Sequence, residues 1–193
     1  MKLLLVYANP NPESVGHTLR DAFLRGARAG GHSIQEVDLY AEGFNPVLSA
    51  AEEHGQKTPE AERYQNMIRE AQCLVFIFPV WWFRAPAILE GWFDRVFTSG
   101  FAFHYKPVTK TFGIPVGLLK GKKAVAVSTY GSPGWVMRFL FFSLPWRRLK
   151  YGVLKICGLG PLIHFPCYSA PYASDAQKEK WAQKLEALAR SLK

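Results

Sequence analysis

The chain has 193 residues, of which 49% are hydrophobic and 15% aromatic. This composition excludes a disordered or collagen-like protein, and it predicts a single domain over residues 1–193 with a sizeable core. The net charge of +9 is spread over short clusters with no long basic arm. It favours a solvated basic surface or an anionic small ligand, and we expect no nucleic-acid partner.

The spacing of cysteines and histidines and the length of the apolar stretches exclude several further classes of protein. Cys73, Cys157 and Cys167 lie far apart, which predicts neither a disulfide framework nor a zinc site. The five histidines have no metal-ligand spacing, so we expect structural or surface roles for them and no metal. The apolar residues 1–8 are too few for a signal peptide, and no stretch reaches transmembrane length. We therefore expect a cytoplasmic protein.

Strand and helix signals alternate along the chain. Apolar stretches with the length of buried strands cover residues 3–8, 33–39, 73–78, 123–128 and 162–167. Helical spacing and helix-start signals cover residues 15–29, 60–71, 86–97 and 176–192. This alternation predicts an α/β, flavodoxin-like domain: a five-stranded parallel sheet in the order 2-1-3-4-5, with helices on both faces.

Three stretches fit this pattern less well. Residues 41–59 and 98–120 are predicted as long connections without regular structure. Residues 135–157 are aromatic and basic, and they predict a short helix, a break at Pro145 and a helix over 147–156. This last segment is interpreted either as a lid or dimer-interface segment beside the site, or as a peripheral contact with a membrane or channel.

Three strand-to-helix loops should meet at one edge of this sheet. The first ends with Ser14 at a helix start, which suits a phosphate and equally suits an ordinary N-cap. The second places three consecutive aromatic residues at 81–83 between two prolines. The third, residues 129–134, is small and turn-rich, and Thr129 and Tyr130 add hydroxyl donors. A phosphate cradle, a stacking wall and a polar rim together predict a flavin. The GxGxxG, P-loop and GxSxG motifs are absent.

A series of longer motifs carries a family resemblance. The motifs are Asp38-Leu39-Tyr40, Phe44-Asn45-Pro46-Val47-Leu48-Ser49, residues 78–83, residues 86–97, Gly100-Phe101-Ala102-Phe103-His104-Tyr105 and residues 118–125. Together they resemble the NAD(P)H:quinone dehydrogenase (DT-diaphorase-like) family of flavodoxin-fold flavoproteins. The match covers about residues 1–134 and fades after Gly134.

The resemblance implies a homodimer that binds FMN or FAD and takes electrons from NADH or NADPH. It implies that the flavin contacts these residues: Asn9, Ser14, Val15, Gly16, His17, Pro79, Val80, Trp81, Trp82, Phe83, Thr129, Tyr130, Gly131 and Gly134. It also implies that Phe103 and Tyr105 close the acceptor pocket from the dimer partner.

The chain departs from the family at three positions. Asn9 stands where relatives often have histidine, and Met137 and Ser143 stand where a tyrosine and a histidine assist hydride transfer. The resemblance therefore assigns the chemistry to the flavin itself, with Tyr130 and Tyr105 as candidate catalytic residues. We expect a flavin-dependent NAD(P)H oxidoreductase that reduces a quinone or a similar acceptor. The alternatives are a regulatory subunit of a potassium-efflux-type transport system and a flavodoxin-like electron carrier.

Overall fold

Seven strands appear in the computed structural model, which describes residues 1–193. They are β1 (Lys2–Tyr7), β2 (Ser33–Asp38), β3 (Cys73–Pro79), β4 (Phe103–Pro107), β5 (Gly113–Gly117), β6 (Lys123–Thr129) and β7 (Leu162–Cys167). Five of them form a parallel sheet in the order β2-β1-β3-β6-β7. Counted within the sheet alone this is the order 2-1-3-4-5, which confirms the predicted fold.

Helices cover both faces of this sheet, as predicted. They are α1 (Val15–Ala29), α2 (Ala50–Glu53), α3 (Pro59–Glu70), α4 (Ala87–Val96), α5 (Leu144–Leu149) and α6 (Asp175–Arg190). The apolar sides of α1 and α6 pack on one face of the sheet, and those of α3, α4 and α5 pack on the other. The helices α1 and α6 touch at Gly26, where a Cβ atom would lie 2.1 Å from the Glu186 carbonyl oxygen.

Both long connections contain regular structure that was not predicted. Strands β4 and β5 form an antiparallel hairpin within residues 98–120. Its residues are mostly exposed, so they show no alternation of apolar and polar side chains. The helix α2 has four residues and buries none of them, and it is defined by a capping box between Ser49 and Glu52. A helix this short leaves no apolar period in the sequence.

A buried arginine fixes the connection between β2 and α3. The Arg95 guanidinium donates to Glu52 at 2.8 Å, to Glu60 at 2.7 Å and to the Asn45 carbonyl at 2.6 Å. Its flat face also lies over the ring of Phe44, 5.1 Å from the centroid. Because Arg95 belongs to α4, this cluster ties residues 44–60 to the helix that follows the second loop.

The segment 135–157 differs from its prediction. The chain forms a π-helix over Val136–Leu140, then α5, then a second π-helix over Lys150–Leu154. The break precedes Pro145, because Phe142 and Ser143 adopt left-handed conformations with φ of 48° and 53°. Pro145 instead lies in the first turn of α5, where its missing N–H leaves no intrahelical bond unmade.

The three cysteines are buried and unpaired. None of the helices combines the length and the apolar character needed to cross a lipid bilayer.

Candidate functional site

The three loops meet where the sequence places them, at the carboxyl ends of β1, β3 and β6. These strands are direct neighbours. Hydrogen bonds continue the pairing past the strand ends, from Ala8 N to Ile77 O at 3.0 Å and from Val80 N to Thr129 O at 2.8 Å. The loops after the three strands therefore line one crevice.

The first loop presents unpaired backbone donors at the start of α1. The Ser14 hydroxyl accepts from His17 N at 3.2 Å and caps the helix. Asn9 Oδ1 accepts from Asn11 N at 3.0 Å, which leaves the Asn9 amide nitrogen free. The N–H groups of Val15 and Gly16 have no acceptor within the chain. These donors and the positive end of the helix dipole favour an anion.

A buried tyrosine hydroxyl is a second, independent observation that indicates a ligand site at this loop. Tyr7 is the last residue of β1 and is 2% exposed, yet its hydroxyl makes no well-formed hydrogen bond. Burial raises the pKa of this phenol and outweighs the lowering by the nearby Ser14 hydroxyl, so the group keeps its proton and can donate it. A Cβ atom on Gly16 would lie 3.7 Å from the Tyr7 oxygen and 2.9 Å from the Asn9 amide nitrogen. The glycine therefore keeps open the space that these donors face.

One cationic side chain, Arg20, lies beside the first loop, and the carboxylates of Asp21, Glu36 and Asp38 lie within 4 Å of it. Arg20 lies over the Tyr7 ring, 5.2 Å from its centroid, and its Nη2 is 3.0 Å from His17 Nε2. The same guanidinium donates to Asp21 at 2.9 Å. Arg20 was not predicted, and its position six residues after the cap is the signal that could have identified it.

The second loop is a strained two-residue turn that exposes its aromatic rings. Trp81 and Arg84 exchange backbone bonds of 2.9 and 3.0 Å across Trp82 and Phe83. Both central residues have left-handed φ values, 51° and 60°. Such conformations cost about 1–3 kcal/mol each in residues other than glycine and concentrate at functional sites. Trp82 is 91% exposed, and the N–H groups of both central residues are unpaired.

The third loop is held by backbone hydrogen bonds at Tyr130, while two of its glycines have unpaired N–H groups. Tyr130 donates its N–H to Cys167 O at 2.9 Å, and its carbonyl accepts from Ala170 N at 2.8 Å. The N–H groups of Gly131 and Gly134 have no acceptor within the chain. The Tyr130 hydroxyl does not join them, because it is buried and lies within 3.3 Å of Ser128 Oγ.

The segment 135–157 packs beside the second loop. The Phe141 ring lies 4.7 Å from the Phe83 ring, centroid to centroid. Arg148 holds Glu90 of α4 through two bonds of 2.7 Å. The segment also contributes buried side chains to the core at Leu149 and Leu154. These contacts fit the lid interpretation, in which the segment borders the crevice.

Two residues singled out by the sequence lie elsewhere, and two others lie in the segment 135–157 beside the crevice. Phe103 and Tyr105 belong to the β4–β5 hairpin and line a separate cavity of about 470 Å³, so one chain does not bring them to the three loops. Met137 is buried, and Ser143 lies in the left-handed turn before α5.

The arrangement fits a flavin phosphate and ring. Unpaired N–H groups, the Tyr7 hydroxyl and the Asn9 amide can surround a phosphate, and Gly16 leaves the room for it. The exposed aromatic turn and the glycine-rich third loop can hold opposite edges of a flat ring.

Known proteins share this fold, and their alignments cover nearly the whole chain. The family described as having a flavodoxin-like fold matches residues 1–192, and the chain belongs to this family. The match therefore continues past residue 134, where the motif resemblance fades. Ribosyldihydronicotinamide dehydrogenase (quinone) of Pongo abelii is 31% identical, over 97% of this chain and 91% of that protein.

Two solved structures superpose closely on the chain. Smu.1420 from Streptococcus mutans UA159 has a TM-score of 0.86 and 35% identity, and the alignment covers 100% of both chains. A putative quinone reductase from Klebsiella pneumoniae also has a TM-score of 0.86, with 26% identity over 96% of this chain and 82% of that one.

Proposed function

We propose that this chain is a flavin-dependent NAD(P)H oxidoreductase that reduces quinones or similar acceptors by two electrons. The observation that carries the proposal is the crevice formed by three loops, with a buried, unpaired Tyr7 hydroxyl at one end and three exposed aromatic residues at the other. The relative from Pongo abelii and the structure from Klebsiella pneumoniae are both named for quinone chemistry, which supports the same activity.

In this proposal the first loop binds the flavin phosphate. Val15 and Gly16 donate backbone N–H groups and Tyr7 donates its hydroxyl. The charge of Arg20 is already paired with Asp21, Glu36 and Asp38. Bound flavin supplies the hydride-accepting and electron-donating chemistry, and the protein supplies orientation and electrostatics. FMN and FAD share the phosphate and ring that these loops would hold, so the cofactor released on denaturation distinguishes them.

The second and third loops orient the ring in this proposal. The residues 79–83 cover one edge with side chains and with the unpaired N–H groups of Trp82 and Phe83. Gly131 and Gly134 let the backbone approach the polar edge. The strain at Trp82 and Phe83 is then offset when the ring covers them and accepts their N–H bonds.

We also propose a homodimer in which Phe103 and Tyr105 complete the acceptor pocket of the second copy. Within one chain these rings line another cavity, and Tyr105 is exposed. Mixing a Tyr105→Ala chain with a Trp82→Ala chain tests this arrangement. A shared pocket predicts that the mixture regains activity which neither variant has alone, because one mixed pocket contains both native rings. Independent pockets predict no recovery.

The electron-carrier alternative makes a different kinetic prediction. A carrier stabilises a one-electron form of its flavin and does not consume NAD(P)H steadily. A quinone reductase oxidises NADH or NADPH continuously when a quinone is present, and it shows little one-electron form during reduction by dithionite. Parallel rates with NADH and NADPH then identify the donor.

The relatives reported above include no transport subunit, and the unpaired cysteines support a cytoplasmic location.

A further inference from the structure

A buried polar triangle lies beneath the third loop. Ser128 Oγ lies 2.8 Å from His164 Nε2 and 3.3 Å from the Tyr130 oxygen, and that oxygen lies 3.3 Å from the same ring nitrogen. His164 was expected to be structural or at the surface, and neither role requires two hydroxyl partners on one nitrogen. Its side chain points to the same face of the sheet as Ala126 and Ser128, where the other nearby residues are apolar.

The triangle borders a small cavity that reaches the second loop. Ser128, Tyr130 and His164 all line this cavity, whose volume of about 10 Å³ is room for about one water. Val80, from the second loop, lines the same cavity. His164 Nδ1 has no partner within the chain and is not among the buried unpaired atoms, so it is open to water. The triangle is therefore accessible to water and shares a water-sized cavity with a residue of the second loop.

We propose that His164, Ser128 and Tyr130 form a proton relay that feeds the three-loop site. This inference rests on the proposed function, because reducing a quinone to a hydroquinone takes two electrons and two protons. NAD(P)H supplies both electrons and one proton, so the second proton comes from water. In the relay His164 Nδ1 takes a proton from water while the Nε2 proton passes to Ser128. The Ser128 proton passes to Tyr130, and the Tyr130 proton passes through a water in the shared cavity, beside Val80, to the acceptor oxygen.

The surroundings keep this relay uncharged at rest. Burial lowers the pKa of His164 to about 4 and raises the pKa of Tyr130 to about 12. Trp146 of α5 covers the imidazole in a parallel stack at 4.4 Å. The charged groups around the same cavity are Arg84, Glu90 and Arg148, and Tyr168 packs on Tyr130. Glu90 and Arg148 neutralise each other, and Arg84 is exposed, so burial is the cause of the lowered His164 pKa.

The neutral ring lets the relay move a proton in either of two arrangements. A neutral imidazole carries one proton, either on Nδ1 at the solvent side or on Nε2 at the Ser128 side. Both arrangements satisfy the triangle, since the two hydroxyls can reverse their donor and acceptor roles. Exchange between them moves one proton across the wall with no lasting charge.

The test compares His164→Gln and Ser128→Ala with His54→Gln, a change at an exposed histidine. In flavin-loaded protein with ¹⁵N-labelled histidine, we expect Ser128→Ala to shift the proton balance between the two His164 nitrogens and His54→Gln to leave it unchanged. We expect His164→Gln to lower kcat with a quinone about 10²-fold and to enlarge the solvent deuterium isotope effect. The flavin Kd should stay at the wild-type value.

Two results would overturn the relay. One is wild-type kcat and isotope effect in both relay variants. The other is a parallel loss of melting temperature and flavin affinity with an unchanged isotope effect, which assigns the triangle a structural role. If His164→Gln does not fold, the smaller change Ser128→Ala decides between these outcomes. Wild-type protein that binds no flavin would instead refute the proposed function, so the two failures are distinguishable.

Discussion

Replacing Tyr7 by phenylalanine should stabilise the flavin-free protein and weaken flavin binding. The hydroxyl is buried and unpaired in the chain, so the flavin-free protein bears the cost of removing it from water. That cost is about 1–3 kcal/mol for a neutral polar group. A phenylalanine has the same ring and packing without the hydroxyl. The free energy of unfolding of flavin-free Tyr7→Phe should therefore rise by up to this amount.

The same hydroxyl should bind a phosphate oxygen when the flavin is present. Hydrogen bonds to charged groups contribute about 1.5–3 kcal/mol. Losing one therefore raises the flavin Kd by about 10- to 150-fold. The opposite signs of the two effects are the distinctive part of this prediction, because a residue that only packs the core would change both in the same direction.

Tyr64 provides the matched control. Its ring is also fully buried, but its hydroxyl donates to Glu42 at 2.8 Å. Tyr64→Phe should lower the free energy of unfolding by about 1.5–3 kcal/mol and leave the flavin Kd unchanged. Urea unfolding of flavin-free protein measures stability, and quenching of flavin fluorescence measures affinity. A Tyr7→Phe protein that is less stable than wild type and binds flavin equally well would refute the reasoning.

Three further changes test other parts of the account. Gly16→Ala should weaken flavin binding at least tenfold, because the added Cβ atom fills the phosphate cradle, and it should not lower stability, because alanine favours a helix. Gly152→Ala, where the added Cβ atom would meet nothing within 4 Å, is the control in the fluorescence titration. Trp82→Gly should raise the urea midpoint, because glycine relieves about 1 kcal/mol of backbone strain at this left-handed position. It should also weaken flavin binding, because the stacking ring is lost, and unchanged flavin affinity would contradict the stacking role. Arg95→Ala should cost about 3–5 kcal/mol of unfolding free energy by leaving Glu52 without its cation.

The Arg95 cluster also predicts a pH dependence of stability. Burial works to raise the pKa of Glu52, but hydrogen bonds from Ser49 and Arg95 outweigh it and hold the pKa below 4.5. A carboxyl group with a lowered pKa stabilises the fold above its unfolded pKa, and this contribution is lost as the pH falls through the folded value. Wild type should therefore lose stability relative to Arg95→Ala below about pH 4.5 in urea titrations. Parallel pH curves for the two proteins would contradict this assignment.

The sheet and the position of the site could be predicted because they depend on strong local signals. The continuous apolar strands and the helices between them determine the order of the sheet, and that order brings the three loops together. Ser14 could be identified as a cap from its residue type alone.

Features that depend on contacts between distant residues could not be predicted. The missing partner of Tyr7 and the triangle around His164 require coordinates, because strand residues give no sign of which hydroxyls they meet. The β4–β5 hairpin is mostly exposed and so lacks a periodic pattern. The left-handed residues at 82–83 and 142–143 are three aromatic residues and one serine, whereas glycine or asparagine would have indicated such turns.

The central claim is that three loops hold a flavin which carries electrons from NAD(P)H to a quinone. The most direct test is to denature the purified protein, identify and quantify the released flavin, and time NADH and NADPH oxidation by the native protein with a quinone. The account predicts about one flavin per chain and steady NAD(P)H oxidation that depends on the quinone. Protein that is colourless, binds no added flavin and leaves NAD(P)H unchanged would contradict it.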